Sequence, residues 1–248
     1  MIIDPILIID PGHGGNDPGG GTNHLWKEKD LALQISLYQY DRFRQLGVPI
    51  TMTRMEDIKI SSVERARMVR ESGAKYCFSN HINAGGGDGV ETIYSIFDDP
   101  TLAKQLAQGI VDKGQNLRRV FSRRLTTDRT KDYYFMHRET GNVHTTIIEY
   151  GFADSKLDDV EQLQNHWIDY AEAVVKTFTT FIGHKYTSPN QQLPNVQRKI
   201  NGNLNGKRVT LDSFLINNTT YVPLRLIGES FGAKIVWDSQ RFEYHIYN

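Results

Sequence analysis

One pattern constrains this chain more than any other. Three short apolar runs, far apart in sequence, each lead into a residue that can bind a metal or move a proton. ILIID runs through a Gly- and Pro-rich loop to His13, KYCFSN runs to His81, and HTTII runs to Glu149. Short β-prone runs punctuated in this way read as strands, the second over Tyr76–Ser79 and the third over Thr145–Ile148. Helical spacing fills the intervals. Glu28 opens a segment with Leu31, Ile35, Tyr38 and Leu46 near one stripe and Gly47 as its stop. Ser61 and Glu64 match a capping box for a helix ending at Glu71. Pro100 begins another helix, and a long one runs from about Leu157 to Phe181. Val48–Arg54 and GVETIYSIF add two more strands. This alternation predicts an α/β domain over residues 1–182, built on an open, mostly parallel sheet with helices on both faces. Ligands of such sheets sit outside the carboxyl ends of the strands. The three runs therefore deliver His13, His81 and Glu149 to the end where such folds do their chemistry.

The rest of the chain is less orderly. Residues 114–140 are polar and take no clear element, although Tyr133, Tyr134 and Phe135 suggest that part of them packs. Periodicity is lost in GHKYTSPNQQLP, so residues 183–194 read as a linker. Residues 195–248 read as a small α+β module: Asn201-Gly202 and Asn205-Gly206 are hairpin signals, Pro223 suits the first turn of a helix, and AKIVW and RFEYHIY are β-prone.

Composition removes several classes of function. With 29 basic and 29 acidic residues the formal charge is zero, which argues against a dedicated nucleic-acid binder. Cys77 is the single cysteine, which excludes an intrachain disulfide and a Cys-rich zinc finger; lying in an apolar run, it reads as a buried, inert thiol. No run approaches the ~18 apolar residues of a membrane span, and no Lys/Arg-led signal peptide precedes the first strand. The glycines after the first strand do not cradle a nucleotide. A P-loop needs Gly-Lys-Ser/Thr, and a dinucleotide fingerprint needs glycine at position 17, where Asp17 stands.

Two neutral imidazoles and one carboxylate make a zinc tripod with a fourth position left open, and His13, His81 and Glu28 can supply it. Small residues around both histidines (Gly12, Gly14 and Gly15; Asn83 and Ala84) let backbone and substrate approach closely. His24, His137, His144, His166, His184 and His245 read as structural or surface residues, with His24 and His137 the first exceptions to consider. Glu149 ends a run that should be buried, where a carboxylate is costly unless paired, metal-bound or catalytic; its plain alternative is a salt bridge to Arg54 or Arg65. The pairs Arg118-Arg119 and Arg123-Arg124 read as a solvated face.

IIDPGHGGNDPGG, Glu28-Lys29-Asp30, Thr53-Arg54 with Asp57, Ser79-Asn80-His81-Ile82-Asn83-Ala84 and Ile148-Glu149-Tyr150-Gly151-Phe152 occur here in that order. Together they resemble the ordered motifs of zinc-dependent N-acetylmuramoyl-L-alanine amidases, peptidoglycan-cleaving enzymes found among autolysins, sporulation hydrolases and phage endolysins. The resemblance covers about residues 5–182. It implies one zinc ion bound by His13, Glu28 and His81, with Glu149 as the catalytic carboxylate; Asn83 and Arg54 are candidate substrate-binding residues within the same motifs. Gly20 stands where relatives often carry Ala, and Asn80 where an apolar residue is usual. In the last segment, Asn201-Gly202, Val222-Pro223-Leu224-Arg225, Gly232-Ala233-Lys234 and Trp237-Asp238 resemble the small domain named for the N-terminus of copper amine oxidases. That resemblance implies wall binding or self-association rather than copper.

The expected activity is hydrolysis of the amide between N-acetylmuramic acid and L-alanine, with bacterial peptidoglycan as the partner. A zinc stem-peptide peptidase and a non-catalytic wall-binding protein on the same fold are the alternatives. Without a leader, the chain is expected to be made in the cytoplasm and to act on the wall after release.

Overall fold

The computed structural model describes residues 4–189, 197–204, 207–216, 219–221, 227–229, 231–238 and 243–247. They fall into two compact units, Met1–Tyr186 and Thr187–Asn248.

In the first unit β1 (Leu7–Pro11), β2 (Ile50–Met52), β3 (Tyr76–Asn83), β4 (Val90–Tyr94), β5 (Leu117–Phe121) and β6 (His144–Phe152) form one sheet in the order β2-β1-β3-β6-β4-β5. All neighbours run parallel except β4 and β6. The exception has a simple cause. Only residues 84–89 connect β3 to β4, too short a stretch for the crossover a parallel return requires. The chain therefore turns back, and β6 later fills the place between them.

Alternation along the strands splits the core in two. One face carries Leu7, Ile9, Phe78, Ile82, Ile148 and Tyr150. It is covered by α1 (Glu28–Gln45), α3 (Thr101–Val111) and α5 (Asp159–Phe181) through Leu31, Ile35, Leu106, Tyr170 and Phe178. The other carries Ile8, Cys77, Ile93 and Ile147 against Val69 of α2 (Ser62–Glu71) and Met136 of α4 (Phe135–Arg138). His81 and Glu149, opposite each other in register, lie half-buried on this same face. Ser61 caps α2 as its sequence suggests, its side chain accepting from the Glu64 amide.

Several expectations are corrected. The strands leading to His81 and Glu149 do not stop before them: β3 and β6 continue through both residues, because polar side chains at the open end of a sheet keep the ladder while breaking the apolar pattern. The run over Val48–Arg54 narrows to Ile50–Met52. The unassigned stretch 114–140 holds β5, an edge strand whose first three residues are exposed, and the single turn α4.

The second unit contains the antiparallel sheet β7 (Gln197–Leu204), β8 (Lys207–Ile216) and β9 (Thr219–Tyr221), and the antiparallel pair β10 (Lys234–Asp238) and β11 (Glu243–Tyr247). The last two are the AKIVW and RFEYHIY runs. Asn201-Gly202 is not a turn: the two residues lie within β7, opposite Thr210 and Val209. The Asn205-Gly206 signal, Pro223 and linker residues 190–194 lie outside the described residues. Among the described residues no helix is long and apolar enough to cross a membrane.

Candidate active site

His13, Glu28 and His81 come from the loop after β1, the first turn of α1 and the carboxyl-terminal part of β3, and one ligand atom from each lies within 4.8 Å of the others. Glu28 is the hub. Its Oε1 stands 3.1 Å from His13 Nε2 and 2.9 Å from His81 Nδ1, while its Oε2 accepts from the Gly21 amide at 2.7 Å. Two glycines make the convergence possible. A Cβ on Gly12 would stand 2.3 Å from the His81 ring, and one on Gly19, at φ +85°, would stand 2.3 Å from Glu28 Oε2.

The loop that presents His13 is held from below. His13 itself has φ 55°, a left-handed backbone that a histidine adopts only when its surroundings impose it. Asp10, fully buried, is bound by the Arg65 guanidinium, Thr53 Oγ1 and Ser79 Oγ. Arg65 also donates to the His13 carbonyl at 2.7 Å. Arg54 donates to the carbonyls of Pro11, Gly12 and Lys29. At 2% exposure, Arg54 braces the loop from beneath. Neither Arg54 nor Arg65 pairs with Glu149, so the salt-bridge alternative for that carboxylate does not occur. Asn83 is half-buried beside the site, with its Nδ2 on Glu91 Oε2 at 3.1 Å.

Sequence reasoning missed Asp17. Its Oδ2 lies 2.9 Å from His13 Nδ1, which turns the ring so that Nε2 faces Glu28. A carboxylate behind a metal-binding imidazole fixes both tautomer and orientation. Its place four residues after His13 in the same glycine-rich loop was the available signal.

Glu149 lies directly opposite His81 on the neighbouring strand, and its Oε2 is buried without a hydrogen-bond partner. Burial, partly opposed by His81 and reinforced by the carboxylates of Glu28 and Glu91, pushes its carboxyl up to about 7. A carboxyl held there can both take and return a proton near neutral pH. For Glu28 burial acts in the same upward direction, but the two imidazoles win and hold it below the usual carboxylate range. For His13 burial opposes the charge, yet Glu28 and Asp17 raise the ring to about 9. The arrangement is thus a negative carboxylate hub that draws positive charge onto its two histidines. A divalent cation answers the same demand, and the donor set of two imidazole nitrogens and one carboxylate oxygen fits zinc.

Behind His81 and Glu149 lies a buried polar network. Asn80 Nδ2 donates to Ser36 Oγ and Gln39 Oε1, both at 2.8 Å, and its Oδ1 accepts from Tyr150 OH at 3.1 Å. Gln39 Nε2 closes the circuit on Tyr150 OH at 2.7 Å. The network ties α1, which carries Glu28, to β3 and β6, which carry His81 and Glu149.

The remaining histidines stand apart. His24, His144, His166 and His184 are exposed, His137 is buried in α4, and the side chain of His245 lies outside the described residues. A second acidic group, Asp88, Asp158 and Asp159, is knotted by its own hydrogen bonds. Asn116 Nδ2 bridges Asp88 and Asp158, and Asp159 Oδ2 accepts the amides of Gly89 and Phe152.

Fold and site together define an α/β protein with two histidines and one carboxylate that could hold a metal ion at the carboxyl edge of a mixed sheet, and a buried carboxyl beside them. Residues 7–184 match the N-acetylmuramoyl-L-alanine amidase family, and the chain belongs to that family. Residues 194–246 match the copper amine oxidase N-terminal domain. The chain is 38% identical over 107 residues to the sporulation-specific N-acetylmuramoyl-L-alanine amidase of Bacillus subtilis (strain 168), covering 40% of each. To the N-acetylmuramoyl-L-alanine amidase CwlM of Bacillus licheniformis it is 32% identical over 162 residues, 64% of this chain and 60% of that one. It therefore spans about half the length of these curated relatives. Among solved structures, the N-acetylmuramoyl-L-alanine amidase from Clostridium difficile 630 superimposes with a TM-score of 0.61 at 27% identity, over 74% of this chain and 100% of the other.

Proposed function

We propose that the chain hydrolyses the amide between N-acetylmuramic acid and L-alanine in bacterial peptidoglycan, with one zinc ion held by His13, Glu28 and His81. The observation that carries this reading is the convergence of three ligand atoms within 4.8 Å beside a buried carboxyl whose Oε2 has no partner. Zinc in such a site supplies Lewis acidity, which acidifies water and polarises a carbonyl oxygen. Glu149 is the proton carrier: it takes a proton from the attacking water at its unpartnered oxygen and returns it to the departing alanine nitrogen. A carboxyl near 7 suits both halves of that task. Asp17 orients His13, and the Asp10–Arg65 pair keeps the loop in place. The match of residues 194–246 to a second domain supports a separate role there, which we assign to wall binding or self-association.

Mass spectrometry of fragments released from defined peptidoglycan tests the reading. New N-terminal alanine on an intact stem peptide, lost with chelator and restored by zinc, is the expected result. New termini deeper in the peptide would make the chain a peptidase. No release and no bound zinc would make it a binding protein.

A further inference from the structure

Four residues stand in line across the open end of the sheet. His81 on β3 is opposite Glu149 on β6, Glu149 is opposite Glu91 on β4, and Glu91 is opposite Arg119 on β5. Residues in register present their side chains on one face, and neighbouring strands lie about 4.8 Å apart. The line therefore carries the site about 10 Å beyond Glu149, onto residues that read from sequence as a solvated face.

They are not an ordinary solvated pair. Glu91 is 1% exposed, and its Oε1 accepts from both Arg118 Nε and Arg119 Nε at 2.8 Å. Two guanidinium charges share one carboxylate, so a surplus positive charge remains. Each guanidinium also lies over an aromatic ring, Arg118 5.0 Å from the Phe152 centroid and Arg119 4.0 Å from that of Phe121. Their inner edges are thus fixed while the side chains stay 42% and 54% exposed. A guanidinium held in this way is a preorganised fork for a carboxylate.

Resting on the amidase reading, we propose that Arg118 and Arg119, aimed by Glu91, bind a carboxylate on the peptide side of the scissile bond. The direction follows from Glu149. The departing alanine nitrogen must reach that carboxyl, so the peptide leaves the site past Glu149, toward Glu91 and Arg119. Extended peptide advances about 3.3–3.6 Å per residue, so a carboxylate within the first few stem residues spans the gap. The glycan side offers no such group there, because its lactyl carboxyl is consumed in the amide itself. Glu91 is a positioning residue in this scheme, and the two arginines select substrate.

Two synthetic substrates test this: a muramoyl-L-alanyl peptide with a free carboxylate on its second residue, and the same peptide with a carboxamide there. The zinc-loaded full chain should prefer the free acid about tenfold or more in kcat/KM, the size of one charge-assisted hydrogen bond. In the R118Q/R119Q double variant that ratio should fall to about one, mainly through KM, whereas R118K/R119K should keep part of it. A wild-type ratio near one, or a ratio unchanged in R118Q/R119Q, overturns the subsite while leaving the amidase reading intact. Cleavage of neither substrate overturns the amidase reading, and the subsite with it.

Discussion

Asp17 Oδ2 and His13 Nδ1 are 2.9 Å apart, and this contact determines which nitrogen His13 turns toward Glu28. The ring sits on a left-handed backbone, and the Asp17 carboxylate, four residues on in the same loop, sets its aim. Removing such a carboxylate weakens metal binding about 10–100-fold without removing a ligand. Calorimetric titration with zinc should show that loss for Asp17→Ala, a smaller one for Asp17→Asn, which keeps an acceptor, and no stoichiometric binding for His13→Ala. Wild-type affinity in Asp17→Ala would dismiss the positioning role.

Glu149 should separate metal from chemistry. Glu149→Gln keeps the shape and removes the proton carrier, so zinc content should stay at one per chain while turnover falls about 10²–10⁴-fold. Zinc analysis and peptide release measured on the same preparation check both halves. Near-wild-type turnover would remove Glu149 from the reaction.

The buried network around Asn80 is a stability prediction. Asn80→Leu leaves Gln39 Oε1 without its donor and the Tyr150 hydroxyl without its acceptor, while Gln39 Nε2 keeps its bond to Tyr150 and Ser36 Oγ keeps the Ala32 carbonyl. Unpaired buried groups cost about 1–3 kcal/mol each. With some relaxation the variant should lose about 3 kcal/mol in urea unfolding of the metal-free protein. A midpoint equal to wild type would show that the network is dispensable.

Asp159 supplies a pH dependence away from the three candidate metal ligands. It is fully buried, its Oδ1 has no hydrogen-bond partner, and burial raises its carboxyl to about 6, against the amides of Phe152 and Gly89 that favour the charge. A folded-state value above the unfolded one favours the protonated form. That contribution is full below about pH 4 and is lost as pH rises through about 6. Asp159→Asn has no such loss. Its stability relative to wild type should therefore rise by about 2 kcal/mol between pH 4 and 7, which denaturant melts at the two pH values would read. A constant difference would contradict the assignment.

The positions of His81 and Glu149 on strands, and of His13 in the loop after one, were legible in the sequence because each is preceded by an apolar run that reads as a strand. The partners of these residues were not legible, because they are non-local. Arg54 lies 43 positions from the carbonyl of Pro11 that it binds, and nothing near Arg54 in the sequence marks that partner. Arg118 and Arg119 looked solvated because β5 is an edge strand with no apolar alternation; only the pairing of β4 with β5 brings them to Glu91. Asn80 looked anomalous for the same reason, since its three partners lie on α1 and β6.

The antiparallel placement of β4 has a consequence for how the molecule can fail. Side chains alternate faces along a strand, so sliding β4 by a single step along β6 would exchange Glu91 for a neighbour. Thr92, now bonded to the Ala103 carbonyl of α3, would emerge at the cleft, and the Glu91 carboxylate would be driven among the apolar side chains beneath α3. Such a mispaired molecule would carry an uncompensated charge in its interior and could not persist as a compact species. Errors of zippering would therefore be cleared by unfolding, and the population that stays folded would be uniformly assembled around its cleft.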